Sequence, residues 1–136
     1  MDRLSKEHRS WLMSRVKSKD TTPELVVRSL LFAMGFRYRL HDPRLPGRPD
    51  IVFGRKRKVI FVHGCFWHGH RGCRYGRLPK TRVDFWGGKI ERNRERDLVN
   101  LQKLDEASWQ ALTVWQCELK DLDGLADRLY EFLTFE

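Results

Sequence analysis

A chain of 136 residues with 40% apolar and 33% charged residues is long enough to bury one core and too short for two ordinary domains. No run approaches the roughly 20 apolar residues of a membrane span, and the opening MDRLSKEHRS lacks the apolar stretch of a secretory leader, so a cytoplasmic protein is expected. Lys and Arg total 27 against 18 acids, a formal net charge of +9, which favours a polyanionic partner and is met equally by a solvated basic surface.

Residues 1–20 are basic and weakly amphipathic, and read as a short helix or arm whose charges could follow a phosphate backbone, or as a solvated terminus. The run TTPELVVRSLLFAMG predicts a helix from Thr22, with a capping Thr, Pro23 at a first helical position, apolar residues at helical spacing and Gly35 as a stop. FRYRL, DIVF and VIFVH, separated by the turns HDPRLPGRP and GRKRK, predict a three-stranded meander. GCFWHGHRGCRYGRLPKT has no period and many glycines, so it is expected as a long loop, a feature that in a small domain carries function or a metal. Helical spacing returns from Val83 to about Ala107, through Ile90, Arg94, Asp97, Leu98, Leu101 and Leu104. ALTVWQC then reads as a strand, and DLDGLADRLYEFL as a closing helix with Leu122, Leu125, Leu129 and Leu133 on one face. This order predicts an α/β sandwich with a mixed central sheet flanked by helices, in a single domain spanning residues 1–136.

Three cysteines, Cys65, Cys73 and Cys117, are an odd number in a chain without an export signal, which argues against a disulfide framework. Cys65, His70 and Cys73 share one loop, and Cys117 ends a strand that could return beside it. Three thiolates and an imidazole make a closed tetrahedral set of the kind that holds structural zinc, an ion that would order a loop too polar to build its own core. Three free thiols and a surface His70 are the alternative, and so is His68 as fourth ligand in place of Cys117.

Asp50 starts a strand at the end of PGRPD, and VIFVH follows after a turn, so Asp50 and His63 are expected on neighbouring strands. That placement resembles the PD-(D/E)xK nuclease core, in which acids and carbonyls hold magnesium against the scissile phosphate. Here Phe61, Val62 and His63 stand where that core has its acid-x-Lys triplet; taken alone, Asp50 could equally be an exposed carboxylate at a strand start.

The string HGCFWHGH, with PGRPD before it and TRVDFWGGKIERNRERD and VWQC after it, resembles the very-short-patch repair (Vsr) mismatch endonucleases, over about Met13 to Cys117. The resemblance implies a three-layer restriction-endonuclease-like core with a zinc-stabilised loop, in which the altered triplet is normal. The implied activity is magnesium-dependent nicking of one strand 5′ to the T of a T:G mismatch arising from 5-methylcytosine deamination. A restriction-like or repair endonuclease with another preference, and a zinc-supported DNA-binding module without catalysis, are the rivals.

Carried over by residue, the resemblance makes Asp50 the central magnesium ligand and Val62 a second through its backbone carbonyl, with two magnesium ions expected. Glu24 and His63 would engage the waters around them, and His68, paired with Asp97, would act on the attacking water as general base or orienter, a task suited to an imidazole near neutral pH. Cys65, His70, Cys73 and Cys117 would hold one zinc ion. Met13, Phe66 and Trp67 correspond to apolar wedges inserted beside the mismatch, although Phe66 and Trp67 taken alone could be core. Lys89, Asn93 and Asp97, four residues apart, share one helical stripe; the resemblance directs Lys89 and Asn93 to the mismatched bases, and a solvated polar face is the alternative. His70 and Cys73 are separated by Arg71 and Gly72 in a run less His-rich than is usual in the family. Double-stranded DNA is the implied partner, along with mismatch-repair factors and a cytosine methyltransferase; a monomer acting at the nucleoid is expected.

Overall fold

In a computed structural model, which describes residues 21–78 and 80–135, the chain runs through α1 (Thr22–Ala33), β1 (Arg39–Leu40), β2 (Ile51–Phe53) and β3 (Lys58–His63), then a 3₁₀ turn (Arg74–Gly76) and α2 (Val83–Glu106). β4 (Gln110–Trp115), a second 3₁₀ turn (Gln116–Lys120) and α3 (Leu122–Thr134) complete it. The basic residues 1–20, expected as a short helix or arm, and Met13 among them, lie outside the described residues. Among the described residues, no helix is long and apolar enough to cross a membrane.

α1 forms because Val26, Val27, Leu30 and Leu31 make an apolar stripe at helical spacing, and all four are buried. It stops at Gly35, whose φ of +94° suits glycine and lets the N–H groups of Gly35 and Phe36 donate back to the carbonyls of Phe32 and Leu31, both at 3.0 Å, a Schellman ending. The start differs from the sequence reading: Thr21 occupies the cap position, but its side chain makes no capping hydrogen bond. Pro23 in the first turn has no N–H to be capped.

The sheet has the order β1-β2-β3-β4. β1 and β2, and β2 and β3, pair antiparallel as the expected meander; β4 pairs parallel to β3, from Lys58↔Gln110 to His63↔Trp115. Parallel neighbours need a crossover, and the 24-residue α2 provides it. The sheet is therefore mixed, as its sequence order predicts.

Alternation along the strands divides the core. Ile51, Phe53, Ile60 and Val114 pack with α1 and with Leu125, Leu129 and Leu133 of α3, while Val52, Val59 and Phe61 pack with Leu104 and Leu101 of α2. α3 is capped by Asp121, which accepts a hydrogen bond from the Gly124 N–H at 3.0 Å. Its last turn is fastened by the buried Lys58, whose ammonium donates to the carbonyls of Phe132 and Phe135, a cation at the negative end of the helix dipole. One apolar position falls elsewhere than its spacing suggested: Leu98 is 66% exposed. The face of α2 that meets the sheet is narrow and carries Leu101 and Leu104, and Leu98 lies beside that stripe.

These positions separate in stability. Leu129→Ala, at a site with 0% exposure, is expected to cost about 2–5 kcal/mol through lost burial and a cavity, and Leu98→Ala about 0.5 kcal/mol or less. Urea unfolding of both variants checks it, and equal costs would contradict the packing described.

Candidate active site and metal-ligand cluster

Asp50 enters β2 from the turn HDPRLPGRP, and that turn is shaped by close packing. Gly47 has φ +78°, and a Cβ there would stand 3.1 Å from the Phe61 ring and from the Asn100 side chain, so only glycine lets the turn lie against both β3 and α2. The His41 N–H donates to the Asp50 carbonyl at 3.1 Å, closing the turn, and Asp50 Oδ2 accepts from the Val62 N–H at 2.7 Å. Asp50 Oδ1 lies 3.9 Å from His41 Nε2. That imidazole nitrogen also donates to Glu24 Oε2 at 2.7 Å, and Arg28, one helical turn on, pairs with the same carboxylate. Burial pushes the Asp50 carboxyl up to about 7, and the Glu24 carboxylate adds to the rise, while the Val62 N–H and His41 oppose it. Glu24, Asp50 and Val62 were expected together, and the structure brings them together; His41 joins them unannounced, because nothing in its local sequence marks a residue that meets Glu24 from 17 positions away.

His63 ends β3. Its ring stacks on His68, centroids 3.7 Å apart and planes 4° from parallel, and His68 Nδ1 lies 2.6 Å from Asp97 Oδ2 on α2. With Nδ1–H donating to Asp97, His68 Nε2 is left as a basic nitrogen. His63 Nδ1 is buried with no hydrogen-bond partner among the described residues. Burial, and then the charge of His68, push this imidazole down to about 4 against a smaller pull from Asp97, so His63 is neutral at physiological pH. Asp50, Val62, His63, His68 and Asp97 line one cleft of about 300 Å³, whose rim carries Arg48 and Arg96.

On the other side of His68 the loop folds back on itself. His70 N–H donates to the Cys65 carbonyl at 2.9 Å, and Cys65, His70, Cys73 and Cys117 place their ligand atoms within 4.8 Å of one another. Cys117 Sγ and His70 Nδ1 are 3.6 Å apart. Ligands roughly 2.0–2.3 Å from a tetrahedral zinc stand about 3.5–3.8 Å apart, so the donor set is compatible with zinc. Burial, and then Cys65 and Cys73 beside it, push the Cys117 thiol up to about 12; a bound dication removes that cost by taking the sulfurs as thiolates. No disulfide joins the three cysteines. His68 stands with Asp97 and Cys117 with the cysteines, which separates the two groups that the sequence left open to exchange.

Phe66 and Trp67 lie between these groups. Trp67 is 48% exposed, and both rings contact Trp86 of α2, at 5.5 and 5.6 Å. Sequence reasoning does not single out Trp86, because one tryptophan in DFWGG carries no mark of its neighbours across the loop. Lys89 sits 5.4 Å above the Trp67 ring, and Asn93 donates to the Trp67 carbonyl at 2.9 Å. The stripe of Lys89, Asn93 and Asp97 therefore faces the loop that carries Trp67 and His68.

Comparison with known proteins gives a consistent picture. The family model for the DNA mismatch endonuclease Vsr matches residues 1–74. The chain is 57% identical over 132 residues to the type II nicking enzyme V.XorIIP of Xanthomonas oryzae pv. oryzae, covering 97% of this chain and 96% of that protein. It is 44% identical over 128 residues to the type II nicking enzyme V.NmeAIP of Neisseria meningitidis, with 94% and 91% covered. Identity to the DNA mismatch endonuclease Vsr of Escherichia coli is 43% over 136 residues, with 96% and 86% covered.

The raised Asp50 carboxyl has a signed consequence for stability. Between its ordinary value of 3.8 and about 7 the folded chain holds a proton that the unfolded chain has released, so stability falls as pH rises through this interval. The neutral amide of an Asp50→Asn variant can still accept from the Val62 N–H and carries no such penalty. Without divalent ions, thermal unfolding is expected to find the variant more stable than the parent at pH 8, by at most a few kcal/mol on the scale of about 1.4 kcal/mol per pKa unit, with a smaller gain at pH 5. A gain that is constant or larger at pH 5 would contradict the site as described.

Proposed function

The chain belongs to the Vsr family of DNA mismatch endonucleases and is a DNA endonuclease, and from that premise we propose that it nicks one strand of duplex DNA 5′ to the T of a T:G mismatch, by magnesium-dependent hydrolysis. The observation that carries this reading is the pair of His68 Nδ1 and Asp97 Oδ2 at 2.6 Å in the same cleft as Asp50 and His63. A general base and a carboxylate able to hold a hard cation share one space open to a phosphodiester.

Asp50 and the Val62 carbonyl would hold magnesium, two ions in all, with Glu24 and His63 bordering them; oxygen donors and a neutral imidazole fit that group. When bound, magnesium supplies Lewis-acid stabilisation of the charge that develops on the phosphate oxygens. The chain's own residues do the rest. Asp97 fixes the tautomer of His68, so that Nε2 faces the water as a base and takes its proton during attack on phosphorus. The stacked His63 restrains the plane of His68. Arg48 and Arg96 on the rim offer positive charge to the flanking phosphates.

Mismatch recognition would fall to the neighbouring surface. Phe66 and Trp67 would enter beside the mismatch, with Met13 as the opposing wedge, trading base stacking for a distorted duplex that a mispair makes less costly. Lys89 and Asn93 would read the mispaired bases, and because they share α2 with Asp97, recognition and chemistry would ride on one rigid element. Zinc held by Cys65, His70, Cys73 and Cys117 would order the loop between them. The helices on both faces of the mixed sheet support a three-layer restriction-endonuclease-like core. Residues 1–136 would act as one domain, a cytoplasmic monomer on DNA, beside mismatch-repair factors.

A nicking assay on matched, T:G, other mismatched and deaminated-base duplexes tests this reading. The T strand of T:G is expected to be cut with magnesium and not without it. Asp50→Asn should lower the rate by about 10²–10³-fold, the scale on which loss of a charge-stabilising group acts, with DNA binding largely kept. Equal cutting of matched and T:G duplexes would defeat the specificity, and an active Asp50→Asn protein the assignment of Asp50.

A further inference from the structure

We propose that His41 is a direct nitrogen ligand in a divalent-cation site shared with Glu24 and Asp50, and that this protein therefore binds transition dications such as Mn²⁺ in preference to Mg²⁺. The inference rests on the reading of Asp50 as a cation-holding carboxylate and deepens it, by naming the ligand that sets metal preference.

Glu24, His41 and Asp50 place one ligand atom each within 4.8 Å of one another. They come from three separate places in the chain, α1, the start of the turn and the start of β2, and meet only in the fold. Asp50 has one oxygen committed, since Oδ2 accepts the Val62 N–H at 2.7 Å, and its other oxygen, Oδ1, lies 3.9 Å from His41 Nε2. Two donors each roughly 2.0–2.2 Å from one ion stand no more than about 4.4 Å apart, so a single cation spans that separation without moving the backbone. His41 Nε2 now donates to Glu24 at 2.7 Å, and a cation would take the place of that proton. Arg28 holds the Glu24 carboxylate from the far side.

The backbone supports the same role. His41 has φ +48°, a left-handed conformation uncommon for a residue with a Cβ, and such strained positions cluster at binding sites. The hydrogen bond from its N–H to the Asp50 carbonyl, 3.1 Å, fixes His41 against the residue whose carboxylate it faces. Two carboxylates whose oxygens lie within 4.8 Å of one another repel when both are ionised, and a dication relieves the repulsion of both. Oxygen donors and water are the preferred ligands of Mg²⁺, whereas an imidazole nitrogen favours transition ions. A site of two carboxylates and one imidazole therefore accepts Mg²⁺ and holds Mn²⁺ more tightly.

Electron paramagnetic resonance of the full chain with Mn²⁺ tests this without reference to cleavage. Loss of the free-ion signal gives the affinity, competition with Mg²⁺ gives the preference, and nitrogen modulation of the bound-ion echo reports direct imidazole coordination. The parent protein is expected to show histidine nitrogen modulation that disappears in His41→Gln and persists in His63→Gln, and His41→Gln should need at least tenfold less Mg²⁺ to displace Mn²⁺. Modulation that survives His41→Gln, or unchanged competition, overturns the proposal. Uniform ¹⁵N-histidine labelling of the parent decides the matter even if the variant misfolds, since a bound-ion spectrum with no histidine nitrogen overturns it as well. Asp50→Asn separates the two levels: Mn²⁺ binding undiminished in that variant would remove Asp50 from the site, and the proposal with it, whereas loss of binding in Asp50→Asn with modulation intact in His41→Gln would fault His41 alone.

Discussion

β3 and β4 run parallel and in register from Lys58↔Gln110 to His63↔Trp115, and this pairing makes the two strands end side by side at one edge of the sheet. The chain leaves β3 into the loop that begins at Gly64 and leaves β4 into the turn that carries Cys117, so the two exits meet. Trp115 stacks on His70 at 4.0 Å and meets His63 edge-on at 5.3 Å, which ties the end of β3 to the loop that carries His70 through the end of β4. The crossover that parallel pairing requires, α2, returns over the same loop and delivers Asp97 to His68. A single strand pairing thus brings together the His63–His68–Asp97 group and the Cys65–His70–Cys73–Cys117 cluster.

The loop between these groups buries little. Cys65 is its one fully buried side chain among the described residues, and its own order comes from backbone contacts such as His68 N–H to the Gly64 carbonyl at 3.2 Å. Two glycines press it against its surroundings: a Cβ on Gly69 would stand 2.5 Å from Ile90 and Arg94 of α2, and one on Gly76 would stand 2.4 Å from the His70 carbonyl oxygen. Gly69 follows His68 directly, so the fit of the loop on α2 also sets the distance from His68 to Asp97. Where apolar burial is this sparse, a metal ion held by the four donor atoms would supply order that packing does not, and Trp67 is exposed and flanked by Lys89 and Asn93.

Much of this was legible in the sequence because the elements are locally consistent. Leu122, Leu125, Leu129 and Leu133 repeat at helical spacing and are buried as that spacing implies; the meander follows from β-branched runs cut by Gly- and Pro-rich turns; and the loop announces itself by having no period at all. The grouping of Cys65, His70 and Cys73 was legible from spacing, and Cys117 from a strand expected to run up to it, although β4 ends at Trp115 and Cys117 sits in the 3₁₀ turn that follows. What was not legible depends on neighbours distant in the chain. Leu98 fits the helical pattern yet lies outside the narrow contact of α2, the Thr21 side chain leaves its cap unmade, and Trp86 and His41 gain their partners only when loop, turn and α1 converge. Pattern reports which face an element buries, whereas contact between side chains on separate elements is set by the packing of the whole.

The proposed division of the loop between zinc and catalysis is tested most directly by hydrogen exchange at the amides of His68, Gly69 and His70, which donate within the loop, with zinc stripped in one sample and magnesium withheld from another. Removal of zinc is predicted to abolish protection at all three amides and at the Trp67 segment beside them, while withholding magnesium leaves them protected. Protection of these amides in a protein shown to have lost its zinc would contradict the account.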